Sequence, residues 1–266
     1  MIIMNGSRGK QLAIAISSIT LCAIAIGGLQ LPKLNQLQRE RVETSQEQWE
    51  QEVTQESVEL QLLKTFPNFG FDNLIANWVF IKYLIYFGDD SAREQTGYEL
   101  IPEYFDINIT EDPRFVPAYF YLSASLSLYL GEPEISVAMM QRQLENLSPK
   151  DPPGAYYIWR YLGIDQLLFL GDSNAARESF EQAAVWAKEY SDPESEMVRD
   201  ISQVTARFLA QNPDSKQAQY AAWILVYQNA IDAQVRDRAI AGIRSVGGIV
   251  EEMEDGSISI QPPPTD

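Results

Sequence analysis

Beyond residue 70 the chain alternates between long apolar-rich runs and short breakers. Within the runs, apolar positions recur three and four apart, the period of a helix with one buried face. The breakers are Gly88-Asp89-Asp90, Asp112-Pro113, Gly131-Glu132-Pro133, Ser148-Pro149 to Pro153-Gly154, Gly171-Asp172, Ser191-Asp192-Pro193 and Asn212-Pro213. The prolines of these breakers fall at boundaries, where a missing N–H interrupts no hydrogen-bond ladder. This spacing predicts helices near 71–87, 92–108, 115–130, 133–147, 154–170, 173–189, 194–211, 215–230 and 233–246. Strand-like alternation is confined to Ser257-Ile258-Ser259-Ile260 in the tail. The expected fold class is all-α, with the final stretch 247–266, which ends in consecutive prolines, a flexible acidic tail.

The N-terminal third has a different pattern. Leu12–Leu29 is 18 residues without a charge. As a helix it would measure roughly 27 Å at about 1.5 Å per residue, just enough for a bilayer core. Pro32 stops it. Two readings compete: a cleaved signal peptide with Ala23-Ile24-Ala25 as its site, or an uncleaved anchor. Ile26, Leu29 and Leu31 continue the apolar run past that site and favour the anchor. Cys22 reads as a small lipid-facing hydrophobe. The expectation is a single-pass membrane protein, in contact with lipid through residues 11–31. Basic residues flank both sides, Arg8 and Lys10 before, Lys33, Arg39 and Arg41 after, so the positive-inside count is nearly tied. A first apolar segment behind a short basic tail usually inserts N-terminus inside, which would put the bulk outside the cytoplasm.

Segment 33–64 is rich in Gln and Glu. Its apolar residues Val42, Trp49, Val53, Leu60 and Leu63 make a sparse heptad-like stripe. One reading is a coiled-coil-like stalk over 33–70 that pairs with a partner. The other is a solvated helix whose stripe lies on its own domain or on the membrane surface. The domain division is therefore anchor 1–32, stalk 33–70, helical domain 71–246 and tail 247–266.

Charge and rare residues restrict the chemistry. The chain carries 20 Lys+Arg against 37 Asp+Glu, a net charge of −17, with no histidine and a single cysteine. So acidic a chain is not built to neutralise phosphates, and no nucleic-acid partner is expected. Ser-His-Asp and Cys-His catalysis, histidine metal sites, an intrachain disulfide and cysteine-built metal sites are all excluded by composition. Asp106, Asn108, Thr110 and Asp112 alternate like the start of a calcium loop, but Glu111 and Ala118 stand where that loop needs Gly and Glu. No nucleotide-binding glycine motif occurs. No catalytic residue, cofactor or metal is expected.

Three helix ends are alike: Ile85-Tyr86-Phe87-Gly88-Asp89, Leu128-Tyr129-Leu130-Gly131-Glu132 and Leu168-Phe169-Leu170-Gly171-Asp172. Their glycines lie 43 and 40 residues apart. Recurrence of helix pairs at such a period marks an α-solenoid, and here the chain resembles the tetratricopeptide family. Ala176, Phe180 and Ala183 follow Gly171 at the family's small–large–small spacing, which places Ala176 and Ala183 where the two helices of that pair meet. The second unit departs, with Ser136, Met140 and Gln143 at those positions, and the periods exceed the family's usual length of about 34. The phrases Asn73 to Trp78, Tyr86-Phe87-Gly88 and Asp112 to Tyr119 look like those of bacterial membrane-anchored tetratricopeptide proteins, with a cyanobacterial flavour in composition. That resemblance implies a periplasmic or thylakoid-lumen location for the bulk. It also implies that the first helix of each pair lines an inner face: Trp78, Lys82 and Tyr86, then Tyr121, Ser125 and Tyr129, then Tyr161, Asp165 and Phe169. Aromatics with a few polar groups suit capture of a protein segment, with Lys82 and Asp165 setting its orientation; the competing reading is that these rings are core. The implied function is a membrane-anchored protein-binding scaffold, an assembly factor for a membrane complex. Its rivals are a permanent accessory subunit and a helical-toroid enzyme.

Overall fold

The structure is a computed structural model that describes residues 45–65, 67–212, 216–230, 233–253 and 258–263, with Ile16, Ile19, Thr20 and 26–31. Among the described residues no helix is long and apolar enough to cross a membrane. That finding corrects the expectation of a single-pass membrane protein with its bulk outside the cytoplasm. Most of the anchor expected at 11–31, and with it the lipid contact, lies outside the described residues.

What is described is mostly helix. The helices are α1 (Gln46–Thr65), α2 (Asp72–Phe87), α3 (Asp90–Thr96), α4 (Ile101–Glu111) and α5 (Val116–Ser123), which continues as a π-helical turn over Ala124–Leu130. After these come α6 (Pro133–Leu144), α7 (Tyr156–Leu168), α8 (Ser173–Ala187), α9 (Pro193–Gln211), α10 (Lys216–Gln228) and α11 (Ala233–Ser245). Two strands, β1 (Ile249–Glu252) and β2 (Ile258–Gln261), close the chain.

Local chemistry sets these boundaries. The carboxylates of Asp89, Asp172 and Asp192 accept the backbone N–H groups of Ala92, Ala175 and Ser195, satisfying donors that a helix start leaves orphaned. Gly131, at φ +87°, ends the π turn and donates its N–H to the Leu126 carbonyl. The helix expected over 92–108 is split, because Gly97 takes φ +68° and turns the chain between α3 and α4. The Arg93 guanidinium caps that turn by donating to the Gly97 carbonyl at 2.8 Å.

α2 packs on α4, and from α4 to α9 successive helices pack on one another, while α3 packs on α1. The largest cluster of buried side chains is aromatic-rich and includes Tyr83, Tyr104, Phe105 and Tyr119. A second, around Leu167, Phe180 and Leu209, joins α7, α8 and α9. Ala176, a member of that cluster, and Ala183 on the same helix are both fully buried. Gly163 of α7 sits so near the Phe180 ring that a Cβ would lie 3.2 Å from it, so α7 and α8 approach closely.

Three elements decide between readings or depart from expectation. Of the two readings of the stalk segment, a helix pairing with a partner or a helix lying on its own domain, the structure takes the second: α1 buries Trp49 and Leu60 and half-buries Val53 and Leu63 against the core, packing on α3 and α4. Its stripe is narrow because one neighbouring surface suffices to cover it; Val42 lies outside the described residues. The second difference is that α10 and α11 leave the stack. They pair with each other, and α10 packs on α7 while α11 packs on the π turn. The third is the tail, which holds an antiparallel hairpin, Val250 opposite Ile260, where flexibility was expected. Those two side chains pack on the cluster of Trp223, Ala239 and Ile243, and this burial orders the strands.

Candidate functional site

The nine residues expected to line one inner face fall into three environments. The structure does not bring them together as one open groove. Trp78 and Tyr121 are exposed, at 52% and 38%. Lys82 is mostly covered by α1. Its ammonium lies 2.5 Å from Glu59 Oε2 and 3.0 Å from Glu56 Oε1. Burial works against its charge, but the hydrogen bonds and charges of Glu59 and Glu56 outweigh burial and hold the pKa above the usual lysine value. Tyr86 is buried against α3 and α4, its ring 5.2 Å from that of Tyr104, with the Arg93 guanidinium 3.6 Å from its centre. These contacts make Tyr86 core and leave no room for a partner.

The middle and last sets are filled from within the chain. Tyr129 packs edge-on against Phe87 at 4.8 Å, and its carbonyl accepts from the Gln234 side chain of α11. Phe169 meets Trp223 of α10 edge-on at 5.1 Å. The C-terminal helices thus occupy the face that the helix-pair pattern leaves open. Tyr161 is half-buried between Phe120 and Tyr157.

Ser125 and Asp165 are wholly buried and do different work. The Ser125 hydroxyl pairs with the Tyr83 hydroxyl at 2.5 Å. Asp165 Oδ1 accepts from Ser123 at 2.7 Å, and Oδ2 accepts from Ser127 at 2.8 Å and Ser136 at 2.6 Å. The carboxyl group is 0% exposed. Burial pushes its pKa up to about 6, against the pull of the Ser136, Ser123 and Ser127 hydroxyls. The arrangement ties α7 to α5 and α6 and is closed to any partner, so Asp165 does not steer a ligand.

What remains open is α2 itself. Phe71, Leu74, Trp78, Ile81 and Ile85 recur at spacings of three and four, so they form one ridge, the face opposite Ala76, Val79 and Tyr83. Leu74 is 65% exposed and Ile85 68%. Large side chains of roughly 150–250 Å² each, at such exposures, leave about 600 Å² of apolar surface in water. That is the upper end for the largest patch on a monomer, about 300–600 Å².

The ridge borders a cleft. Its walls are Trp49, Glu52, Val53 and Glu56 of α1 and Lys82, Ile85 and Tyr86 of α2. Asp89, Ala92, Arg93 and Tyr104 complete it, and its cavity is about 140 Å³. Tyr104 donates to Glu56, which also receives Lys82. Glu52, Glu56 and Glu59 are spaced i, i+4, i+7 and so present one acidic face of α1 beside α2.

The composition of α2 itself signals this ridge. Apart from Asp72 and Lys82, α2 has no charge, and it is apolar all round rather than on one stripe. A helix with more apolar face than one core can cover is either buried on all sides or exposes a contact surface. A second exposed apolar stripe, Met197, Ile201, Val204 and Phe208, runs along α9.

Comparisons with family models, with curated proteins and with solved structures found no match to this chain.

Proposed function

We propose that the chain is a protein-binding scaffold built from tetratricopeptide-like helix pairs, an assembly factor whose contact surface is the exposed face of α2. The observation that carries this reading is the ridge Phe71, Leu74, Trp78, Ile81 and Ile85, apolar and unburied on a helix whose other side is fully packed. Keeping about 600 Å² of such surface in water costs free energy that most chains avoid by placing charges there. Its neighbours support the reading too. The resemblance of the helix ends at Gly88, Gly131 and Gly171 suggests repeats. Self-filling of the faces around Tyr129 and Phe169 leaves Trp78 of α2 and Tyr121 of α5 as the exposed part of the expected inner surface.

The test is affinity purification of the full chain from a native extract, with wild type compared with the double variant Trp78→Ala, Ile85→Ala. Both side chains are exposed, so helical content should be unchanged. Aromatic anchor truncations commonly cost about 2 kcal/mol or more, a loss of about 30-fold in affinity, and the partner should be lost. Recovery of the same partner at wild-type yield by the folded variant would refute the reading.

A further inference from the structure

We propose that the exposed apolar face of α9 pairs with the same face of a second copy of this chain, the two α9 helices lying antiparallel about a two-fold axis between Ser202 and Gln203. The contact uses none of the α2 ridge, so it stands or falls apart from the reading above.

Three observations carry it. First, α9 turns its bulky side outward. Met197, Ile201, Val204 and Phe208 are 56%, 47%, 59% and 40% exposed. The buried face is made largely of small residues, Ser195, Ser202 and Ala206, with Val198 and Leu209. The stack of successive helices ends at α9, because α10 and α11 leave it. The last unit of a stacked helical array needs a polar outer face; this one presents an apolar stripe, which a second copy covers.

Second, the stripe is complementary to itself. Its positions are spaced four, three and four apart, which reads the same in both directions. A two-fold contact needs a surface that fits its own copy. Turned about the midpoint, Met197 meets the second copy's Phe208, and Ile201 meets its Val204, in the alternating layers of a paired-helix seam. Side chains of about 200 Å² each, about half exposed, offer about 400 Å² per copy. The two copies together bury about 800 Å², and the polar borders bring this to about 1,000 Å², the weak and reversible end of specific interfaces.

Third, the charges on one border of the stripe are ordered for antiparallel pairing. Asp200 and Arg207 are seven residues apart and so share that border. The two-fold sets the border against its own copy. Asp200 then lies opposite the second copy's Thr205, two residues or about 3 Å along the axis from its Arg207, and symmetry makes the ion pair twice. Parallel pairing would set Asp200 on Asp200 and Arg207 on Arg207. Both groups have capacity to spare. The Asp200 side chain is 65% exposed, and Arg199 engages its Oδ1 alone. Arg207 is exposed and donates its Nε to the Gln203 carbonyl; among the described residues no carboxylate holds it.

The experiment is sedimentation velocity of the full chain. At about 0.15 M salt the repulsion between two chains of net charge −17 is screened beyond about 8 Å. Between about 2 and about 200 µM the chain should pass from monomer to dimer. Ile201→Gln with Val204→Gln removes the centre of the stripe. Both positions are exposed and Gln is a good helix former, so helical content should be unchanged, while the dimer weakens by at least about 30-fold. Asp200→Arg alone and Arg207→Asp alone should each weaken it by about tenfold, since each change enters the contact twice. The two changes combined should bring it back to within about threefold of wild type, a recovery that general stickiness of apolar surface does not give. A chain that is monomeric throughout the range would overturn the proposal, as would a dimer unaffected by the Ile201 and Val204 changes. A dimer lost with the stripe but not recovered by the combined charge swap would overturn the antiparallel arrangement. A dimer dissociated by Trp78→Ala with Ile85→Ala instead would overturn it in favour of self-contact through α2.

Discussion

Replacing Asp165 with Asn should remove a loss of stability that the wild type suffers as pH rises through the mildly acid range. Asp165 receives three serine hydroxyls and no cation, and it is wholly buried. Hydroxyl donors favour the charged carboxylate, while removal from water favours the neutral acid, and here removal from water wins. The pKa moves from 3.8 in the unfolded chain to about 6 in the folded one. The folded state therefore holds this proton more tightly. Below the unfolded value both states are neutral and no penalty applies. As pH rises from the unfolded toward the folded value the unfolded chain ionises while the buried carboxyl stays protonated, so stability is lost, and the loss is complete once pH passes the folded value. At about 1.36 kcal/mol per pKa unit the loss is about 3 kcal/mol, spread between about pH 4 and pH 6. Other carboxylates change stability in the same range, so the informative quantity is the difference between wild type and Asp165→Asn. Asn has nearly the same shape, accepts through Oδ1 and donates through Nδ2, so the serines can reorient around it. Denaturant unfolding at pH values from 4 to 7.5 should show wild type losing about 3 kcal/mol relative to the variant as pH rises. A difference that is constant over this range, or that grows in favour of wild type, would mean that the three hydroxyls outweigh desolvation, and the reasoning would fail.

Other changes test the packing. A Cβ at Gly242 would lie 2.2 Å from the Trp223 indole. The Gly242→Ala gain in helix propensity, about 1 kcal/mol, is smaller than the overpacking cost of about 1–3 kcal/mol, so this variant should melt lower and its near-UV circular dichroism should show Trp223 displaced from Phe169; an unchanged or raised melting temperature would contradict this. Ala183→Leu puts three carbons into a contact with no exposed surface and should cost about 1–3 kcal/mol, read by the same unfolding measurement; stability equal to wild type would mean that α8 does not turn this face inward.

The sequence made the helices legible and left much of their neighbourhood hidden. Gly88, Gly131, Gly171 and the boundary prolines punctuate the chain locally, so the expected helices match the observed ones closely. The exception, the 92–108 run, contains Gly97, whose positive φ splits it. Ala176 and Ala183 were placed inside by their spacing, and they are buried. What spacing does not encode is which distant element covers a given face. Tyr129 and Phe169 sit on the expected inner face, but α10 and α11 come back from far along the chain to fill it, and nothing periodic announces that return. Lys82 was read without α1, which covers it, and Tyr86 without α3 and α4, which bury it. Asp165 and Ser125 looked like polar groups for a ligand because their partners, Ser123, Ser127, Ser136 and Tyr83, are distant in sequence or on other helices. Leu74, Ile81 and Ile85 escape an aromatic pattern four residues apart because they are aliphatic and lie on the adjoining strip of α2.

The central claim, that α2 is where a partner docks, is tested most directly by site-specific photo-crosslinking in the native cell. A photoreactive residue placed at Ile81 reports on the ridge, and one at Val185, exposed on α8, reports on a surface assigned no partner. The account predicts a discrete protein adduct from position 81 and none from position 185. Adducts of equal yield at both positions, or an adduct at 185 alone, would contradict it.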